Sequence, residues 1–474
     1  MTTRKDFLLR SAAAAAGLAL FGPRRRNVAE AATRPNVLVV FTDDQPPFGS
    51  IERMPFVQQF FLENGLVYDR AYLAGPRCAP SRATMQLGRY PHSHNIIDNK
   101  GAARQYKNAG CQQESVARRL HEAGYSTALN GKWMNGYENL MGTNSGWAHP
   151  YFDQWYVLLG NHDPIVVNSN GDIKVTDTRL AHETDLLRAR CEEFIRNHRN
   201  GPWVCWATFK APHGPYVPSP QHENAFSNEP LYRRPNYDEE DVSDKPSFVR
   251  DEPRSNNRND LDNKRRTLQI NKWRELLDVD DAVRALWSAI QNTGQADSTY
   301  LIYAIDNGYM NGEHRLDKKA KSYEESSRNP LMVRGPAVAQ GHIQAYSSLA
   351  DVPATIADLA GIGPFGEGRS LAPTFGGTVP EDWRKRLFFE MPALPWYGVR
   401  DDSLEGELAG DWKYVENGSL AHREIELYDM ANDPYELTSL HRERPDVCAA
   451  LSPRISTFKQ SQGRAEIAAA EDAP

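Results

Sequence analysis

Cysteine is scarce in this chain, five residues in 474, which excludes a fold held together by a dense disulfide scaffold. No stretch approaches the ~20 consecutive apolar residues that carry a helix across a bilayer, so no transmembrane span is expected. A surplus of basic charge is missing too. Lys and Arg number 55 against 62 Asp and Glu, a net charge of −7, which leaves no broad basic face for phosphate backbones, and nucleic acid is not an expected partner. Solenoid-type repeats are absent. What is present has ordinary globular composition, 40% hydrophobic and 10% aromatic, which excludes wholesale disorder. The length suits one large domain or up to about three.

Residues 1–31 read differently from the rest. Basic Arg4 and Lys5 precede a weakly apolar, alanine-rich stretch, Phe7 to Phe21, and Ala29-Glu30-Ala31 follows as an A-x-A cleavage site, the order of an export signal. The segment Thr3-Arg4-Lys5-Asp6-Phe7-Leu8-Leu9 is similar to a twin-arginine signal whose second arginine is Lys. Export machinery for already folded proteins is therefore an expected partner, and the expected location is periplasmic or extracellular. No cysteine lies near the cleavage site, so a lipoprotein is not expected.

In the mature chain, three apolar runs rich in β-branched or aromatic residues fit strands buried on both faces of a parallel sheet: Asn36–Phe41, Pro202–Phe209 and Tyr300–Ile305. They end in Thr42-Asp43-Asp44, near His213, and in Asp306-Asn307-Gly308. Carboxyl ends of such strands are where open α/β sheets place their sites. Helical patterns lie between them, over Glu114–Ala123, Glu183–Asn197 and Asp280–Gln291, so the fold class is α/β with a largely parallel sheet. From about 228 to 272 the chain is dense in charge, Asn and Pro, and reads as a surface excursion, either a flexible loop or a substrate-covering insertion. Beyond about 369 the buried runs give way to alternating segments such as Lys413-Tyr414-Val415 and Glu426-Leu427-Tyr428, a smaller antiparallel subdomain closed by a last helix.

Asp43 and Asp44, adjacent after a buried strand, repel each other unless a cation sits between them. If Asp306-Asn307 ends a neighbouring strand, three carboxylates and an amide oxygen converge, a set that suits Ca²⁺ or Mg²⁺ better than Zn²⁺. The carboxylates alone fit a turn or helix-cap pair equally well. His92-Ser93-His94 lacks a third ligand of matching spacing for zinc, and Gly124 to Lys132 has the wrong spacing for a phosphate-binding P-loop.

Cys78-Ala79-Pro80-Ser81-Arg82, followed by Leu87-Gly88-Arg89, changes that balance, because it resembles the signature of the sulfatase family. The resemblance extends in order along most of the mature chain, through Gly131-Lys132-Trp133, Ala211-Pro212-His213, Asp306-Asn307-Gly308, Tyr323-Glu324-Glu325 and Leu427-Tyr428-Asp429 with Asp433-Pro434. It implies an alkaline-phosphatase-like α/β architecture, with a catalytic domain over 32–368 and a C-terminal subdomain over 369–474 that holds a short antiparallel sheet. It also implies that a formylglycine-generating enzyme converts Cys78 to Cα-formylglycine, whose hydrate is the nucleophile. A Ser or Thr nucleophile would be left as a stable sulfate ester, whereas a sulfated geminal diol expels sulfate as its second hydroxyl reforms the aldehyde. Residue by residue, the resemblance implies one Ca²⁺, with Mg²⁺ the lesser candidate, on Asp43, Asp44, Asp306, Asn307 and the modified Cys78. Arg82 would hold the hydrated aldehyde, Lys132 and Lys319 the sulfate oxygens, and His213 would protonate the leaving alcohol.

One departure stands out. Many family members read Gly-Lys-x-His where this chain has Gly131-Lys132-Trp133-Met134, and Met cannot take a proton. That absence also marks the glucosamine-6-sulfatase branch, which this chain resembles around Tyr90-Pro91-His92, Asp278–Asp281 and Asp306-Asn307-Gly308-Tyr309. The implied substrate is a sulfated sugar such as N-acetylglucosamine 6-sulfate, with another glycosaminoglycan sulfate or a small sulfate ester as alternatives. Two other readings stay open: a phosphonate or phosphate monoesterase on the same scaffold, and a secreted glycan-binding protein without catalysis. Trp133, Trp147, Trp155, Trp396 and Tyr397 are candidate sugar-stacking aromatics, although such residues more often pack in a core or rim, and His92, His94 and His314 are candidate replacements for the missing base, with a structural role the commoner alternative.

Overall fold

The computed structural model describes residues 34–141, 146–160, 165–176, 182–254, 257–419 and 421–472. The export segment lies outside them. Among the described residues, twelve strands precede the C-terminal subdomain: β1 (Asn36–Thr42), β2 (Leu66–Tyr72), β3 (Ser126–Gly131), β4 (Gln154–Leu159), β5 (Ile165–Ser169), β6 (Asp172–Thr176), β7 (Trp203–Thr208), β8 (Thr299–Ile305), the short pair β9 (Met310–Asn311) and β10 (Asp317–Lys318), β11 (Met332–Arg334) and β12 (Gly341–Ser348). Ten of them form one sheet, in the order β12-β2-β11-β8-β1-β7-β3-β4-β5-β6.

The middle of that sheet, β8-β1-β7-β3-β4, is parallel, as the apolar runs predict. Antiparallel pairings flank it on both sides, through β11 and through β5 and β6, so the whole is mixed. Every residue of β1 is buried, because helices cover both faces of a parallel core and leave no solvent side for polar alternation. Among these helices are α1 (Cys78–Leu87), α2 (Val116–Glu122), α3 (Glu183–Asn197), α4 (Arg258–Asn292) and α5 (Asp351–Leu359).

α4 corrects the expected excursion over 228–272. Only its first part is irregular. From Arg258 the chain is helical for 35 residues, so the pattern seen at Asp280–Gln291 is the last third of one long helix. Its first half looks like surface in sequence because it is so rich in charge, yet Arg265, Gln269, Lys272 and Glu275 are buried on it. They are buried because neighbouring loops, not solvent, supply their hydrogen-bond partners.

The C-terminal subdomain is a four-stranded antiparallel sheet, β13 (Arg386–Met391), β14 (Trp396–Asp401), β15 (Trp412–Asn417) and β16 (Glu424–Asp429), in sequence order. Two helices, α6 (Pro445–Gln460) and α7 (Gly463–Asp472), pack on it through Val447, Leu451, Phe458 and Ile467. Buried polar contacts tie the subdomain to the main sheet. The Tyr323 hydroxyl meets Glu426 at 2.6 Å, the Glu324 carboxylate meets Lys413 at 2.9 Å, and the Glu324 N–H donates to Glu436 at 2.8 Å. The Tyr323-Glu324 segment is thus a docking element. Among the described residues no helix is long and apolar enough to cross a membrane.

Candidate active site

Four adjacent parallel strands end together. β8 runs into Asp306 and Asn307, β1 into Asp43 and Asp44, β3 into Lys132, and β7 into the loop that carries His213. Main-chain bonds hold the exits in register: Asp306 N–H to the Thr42 carbonyl at 3.0 Å, Asp43 N–H to Ala211 at 3.2 Å, Lys132 N–H to Thr208 at 2.8 Å. Asp44 has a φ of 58°, a left-handed conformation that costs a residue with a Cβ about 1–2 kcal/mol. It allows two successive carboxylates to reach one site.

Cys78 enters from the first turn of α1 and is fully buried. Its Sγ lies 2.8 Å from Lys319 Nζ and 3.5 Å from Asp43 Oδ1. One turn further along, Arg82 donates through Nε to Asp306 at 3.0 Å and through Nη1 to the Lys132 carbonyl at 2.6 Å. Lys132 Nζ bonds Asp43, and Lys319 Nζ bonds Asp44. His213 presents Nδ1 to the Gly214 carbonyl at 2.7 Å, which fixes the proton there and leaves Nε2 3.7 Å from Asp44 Oδ2.

Asp43, Asp44, Cys78 and Asp306 offer ligand atoms that all lie within 4.8 Å of one another. Asn307 donates to Asp44 Oδ1 at 2.6 Å, while its own Oδ1 is buried without a hydrogen-bond partner. A hard divalent cation fits this donor set, since it takes oxygen ligands and satisfies a carbonyl oxygen that no donor reaches. The electrostatics agree. Burial pushes the Asp43 carboxyl up, but Lys132, His213, Arg82 and Lys319 together outweigh it and hold the group well below its usual value. Burial and the neighbouring Asp43 push Asp306 up to about 7. Burial and Asp43 likewise push the Cys78 thiol up to about 11, so at neutral pH the unmodified side chain is a poor nucleophile.

Two glycines let these residues approach. Gly131 sits at φ 128°, and a Cβ there would collide with the Thr208 carbonyl; at Gly308 it would collide with the Glu325 carbonyl. Gly131→Ala should displace Lys132 by roughly an ångström and lower kcat/KM by about 100-fold, measured alongside a urea unfolding curve that separates misplacement from global destabilisation.

A cavity of about 480 Å³ opens over the site and is lined by Asp44, His213 and Lys319 together with Arg77, Tyr216 and Leu394. The expected stacking aromatics do not line it. Trp133 is buried edge-on against Tyr106, Tyr137 and Trp155 at 5.1–5.3 Å, a box that pins the residue beside Lys132. Trp147 packs on the same box, and Trp396 is buried against Phe389. Tyr397 lies under Lys459, its ring centre 4.0 Å from Nζ. Met134 packs into the main core. None of the histidines proposed in its place reaches Cys78: His92 bonds Glu390 at 2.7 Å, His94 meets Thr84 at 3.2 Å, and His314 bonds Glu239 at 2.6 Å and stacks on Tyr323. Sequence reasoning missed Arg77, Tyr216, Tyr309 and Lys272. For Lys272 the available signal was the polar spacing of Lys272, Glu275, Asp278 and Asp281 along a helix that otherwise turns apolar residues inward.

The family described as Sulfatase matches residues 35–362, and a second, described as N-sulphoglucosamine sulphohydrolase, C-terminal, matches residues 312–461. The N-acetylglucosamine-6-sulfatase of Capra hircus is 26% identical over 480 residues, covering 92% of this chain and 85% of its own. The N-acetylglucosamine-6-O-sulfatase of Bacteroides thetaiotaomicron is 25% identical over 496 residues, 87% of this chain and 83% of its own. Among solved structures, the chain resembles an enzyme in complex with its substrate D-glucosamine-2-N,6-O-disulfate, with a TM-score of 0.73, 22% identity and coverage of 90% of this chain and 99% of that one. At that identity the likeness is one of fold.

Proposed function

The chain belongs to the sulfatase family, and from that premise we propose that it hydrolyses the sulfate monoester of a sulfated sugar such as N-acetylglucosamine 6-sulfate. The observation that carries this reading is the meeting of the Cys78 side chain with Lys319 at 2.8 Å and Asp43 at 3.5 Å. The substrate class rests on the activities named for the goat and Bacteroides relatives. Conversion of Cys78 to formylglycine by a maturation enzyme supplies a hydrated aldehyde that both attacks sulfur and later releases sulfate. Asp43, Asp44, Asp306 and Asn307 would hold the divalent cation, Ca²⁺ by their oxygen donors, which supplies Lewis-acid charge at the sulfate.

The remaining work falls to side chains. Lys132 and Lys319 hold sulfate oxygens as negative charge develops on them. Arg82 is engaged by Asp306, Asp43 and the Lys132 carbonyl, so its part is to fix the carboxylates and Lys132 in place beside the nucleophile. His213, as an imidazolium whose Nδ1–H stays on the Gly214 carbonyl, gives its Nε2 proton to the departing sugar oxygen. In keeping with the leader sequence, the mature enzyme works outside the cytoplasm after twin-arginine export.

His213→Ala should lower kcat/KM on a sugar sulfate by about 10²–10⁴-fold and on a nitrophenyl sulfate far less, because an acidic phenol leaves without a proton. Steady-state sulfate release from both esters, with a phenyl phosphonate ester as comparison, tests the assignment. Equal losses on both sulfates would remove His213 from the acid role, and turnover of the phosphonate without sulfate release would overturn the reaction itself.

A further inference from the structure

Lys272 lies on α4 and is 2% exposed, yet no carboxylate stands within ion-pair distance of it among the described residues. Its ammonium instead donates to two main-chain carbonyls, Asp44 at 2.8 Å and Pro212 at 3.2 Å. The ring centres of Tyr309 and Tyr216 lie 3.9 and 5.3 Å from Nζ. Lysine stems with a buried head are uncommon unless the head is paired, and here the pairing is with the backbone of two site loops and two aromatic rings.

Both carbonyls matter by position. Asp44 holds a left-handed conformation, which a residue with a Cβ keeps only where its surroundings impose it. Pro212 directly precedes His213. Further along the same helix, Glu275 accepts the Val217 N–H at 2.7 Å, Asp278 the Ser219 N–H at 3.0 Å, and Asp281 meets His222 at 2.8 Å. Residues 272, 275, 278 and 281 therefore fasten the loop 212–222 to α4 along one stripe, and Lys272 is the member that also reaches across to β1. Lys272 does not line the cavity over the site. It lines an adjoining one whose wall shares Tyr309, so it acts through its neighbours rather than on substrate.

We propose that Lys272 is a positioning residue: its ammonium clamps the backbone of Asp44 to that of Pro212 and so sets the separation between a metal-binding carboxylate and the leaving-group acid. This rests on the roles given above to Asp44 and His213. In mature full-length enzyme, Lys272→Met should weaken Ca²⁺ binding by about 10–100-fold, read by titration calorimetry after chelator treatment. It should also enlarge the ratio of nitrophenyl to sugar sulfate turnover towards that of His213→Ala. Lys272→Arg, which retains a cationic donor, should restore both to within a few-fold. If the Met variant does not fold, Lys272→Gln carries the same test, since its amide keeps one hydrogen bond without the charge. Wild-type calcium affinity with a wild-type turnover ratio in the neutral variant would overturn the proposal. So would equal losses in the Arg and neutral variants, which would mean that packing alone is at stake. Failure of the underlying reading shows separately, as absence of calcium-dependent sulfate release by the unsubstituted enzyme.

Discussion

Cys78→Ala should abolish sulfate release, with a loss of at least about 10⁴-fold in kcat/KM, while leaving the unfolding curve close to that of the parent. The size of the effect follows from where the residue sits. Cys78 is fully buried at the start of α1 among Asp43, Lys319 and Lys132, and among the described residues no other Cys, Ser or Thr is placed against those lysines by a hydrogen bond. Burial and Asp43 push its thiol up to about 11, which keeps it protonated at neutral pH, so the nucleophile proposed above is the hydrated aldehyde and not the thiol. Peptide mass spectrometry of enzyme from a host with the maturation machinery should find Cys78 lighter by about 18 Da, the change from thiol to aldehyde. Cys78→Ser sharpens the test. It keeps size and a hydroxyl but cannot reform a carbonyl, so at most one turnover is expected, with sulfate retained on the protein. An unmodified Cys78 in protein from such a host would sink the mechanism: with sulfate release retained it points to a reaction independent of this residue, and without sulfate release to a purely glycan-binding role.

Chelation of the divalent cation should remove activity by at least about 100-fold, with recovery on adding Ca²⁺ and less with Mg²⁺, whose octahedral preference suits this crowded set less well. It should also lower the unfolding temperature by a few degrees, since a ligand at 100 times its Kd contributes about 2.7 kcal/mol. The pH dependence has a defined sign. Asp306 is raised from 3.8 to about 7 by burial and by Asp43. In the cation-free protein the folded state therefore holds a proton that the unfolded chain has lost between those two values. Its contribution to stability is complete below about pH 4 and falls away as pH rises through 7. A cation replaces that proton. The Ca²⁺-induced rise in unfolding temperature should accordingly be larger at pH 8 than at pH 5.5; a rise that shrinks with pH would remove Asp306 from the ligand set.

Much of the site was legible in sequence because each piece is local. Asp43-Asp44 and Asp306-Asn307 directly follow runs whose apolar character marks them as interior strands, and β1, β7, β8 and α3 lie where those patterns put them. The acid and basic residues drawn from the family resemblance, Cys78, Arg82, Lys132, His213 and Lys319, come together around them. The role of the aromatics was not legible in sequence for a physical reason. A Trp has the same sequence signature whether its face meets sugar or another ring, and Trp133, Trp147 and Trp155 turned out to pack on one another. The charged first half of α4 was misread in the same way, since side chains that serve buried backbone look like solvated ones until their partners are known.

The sequence by itself thus determined the parallel heart of the sheet and the polar residues at its strand ends, because a buried strand and the residues that follow it are contiguous. Only the tertiary structure decided how the pieces are held. Lys272 and Asp44 are 228 residues apart in the chain, and nothing in either segment encodes that the ammonium of one caps the carbonyl of the other. That contact exists because the first half of a long helix passes the exit of β1, where a main-chain carbonyl beyond the sheet must find a partner elsewhere.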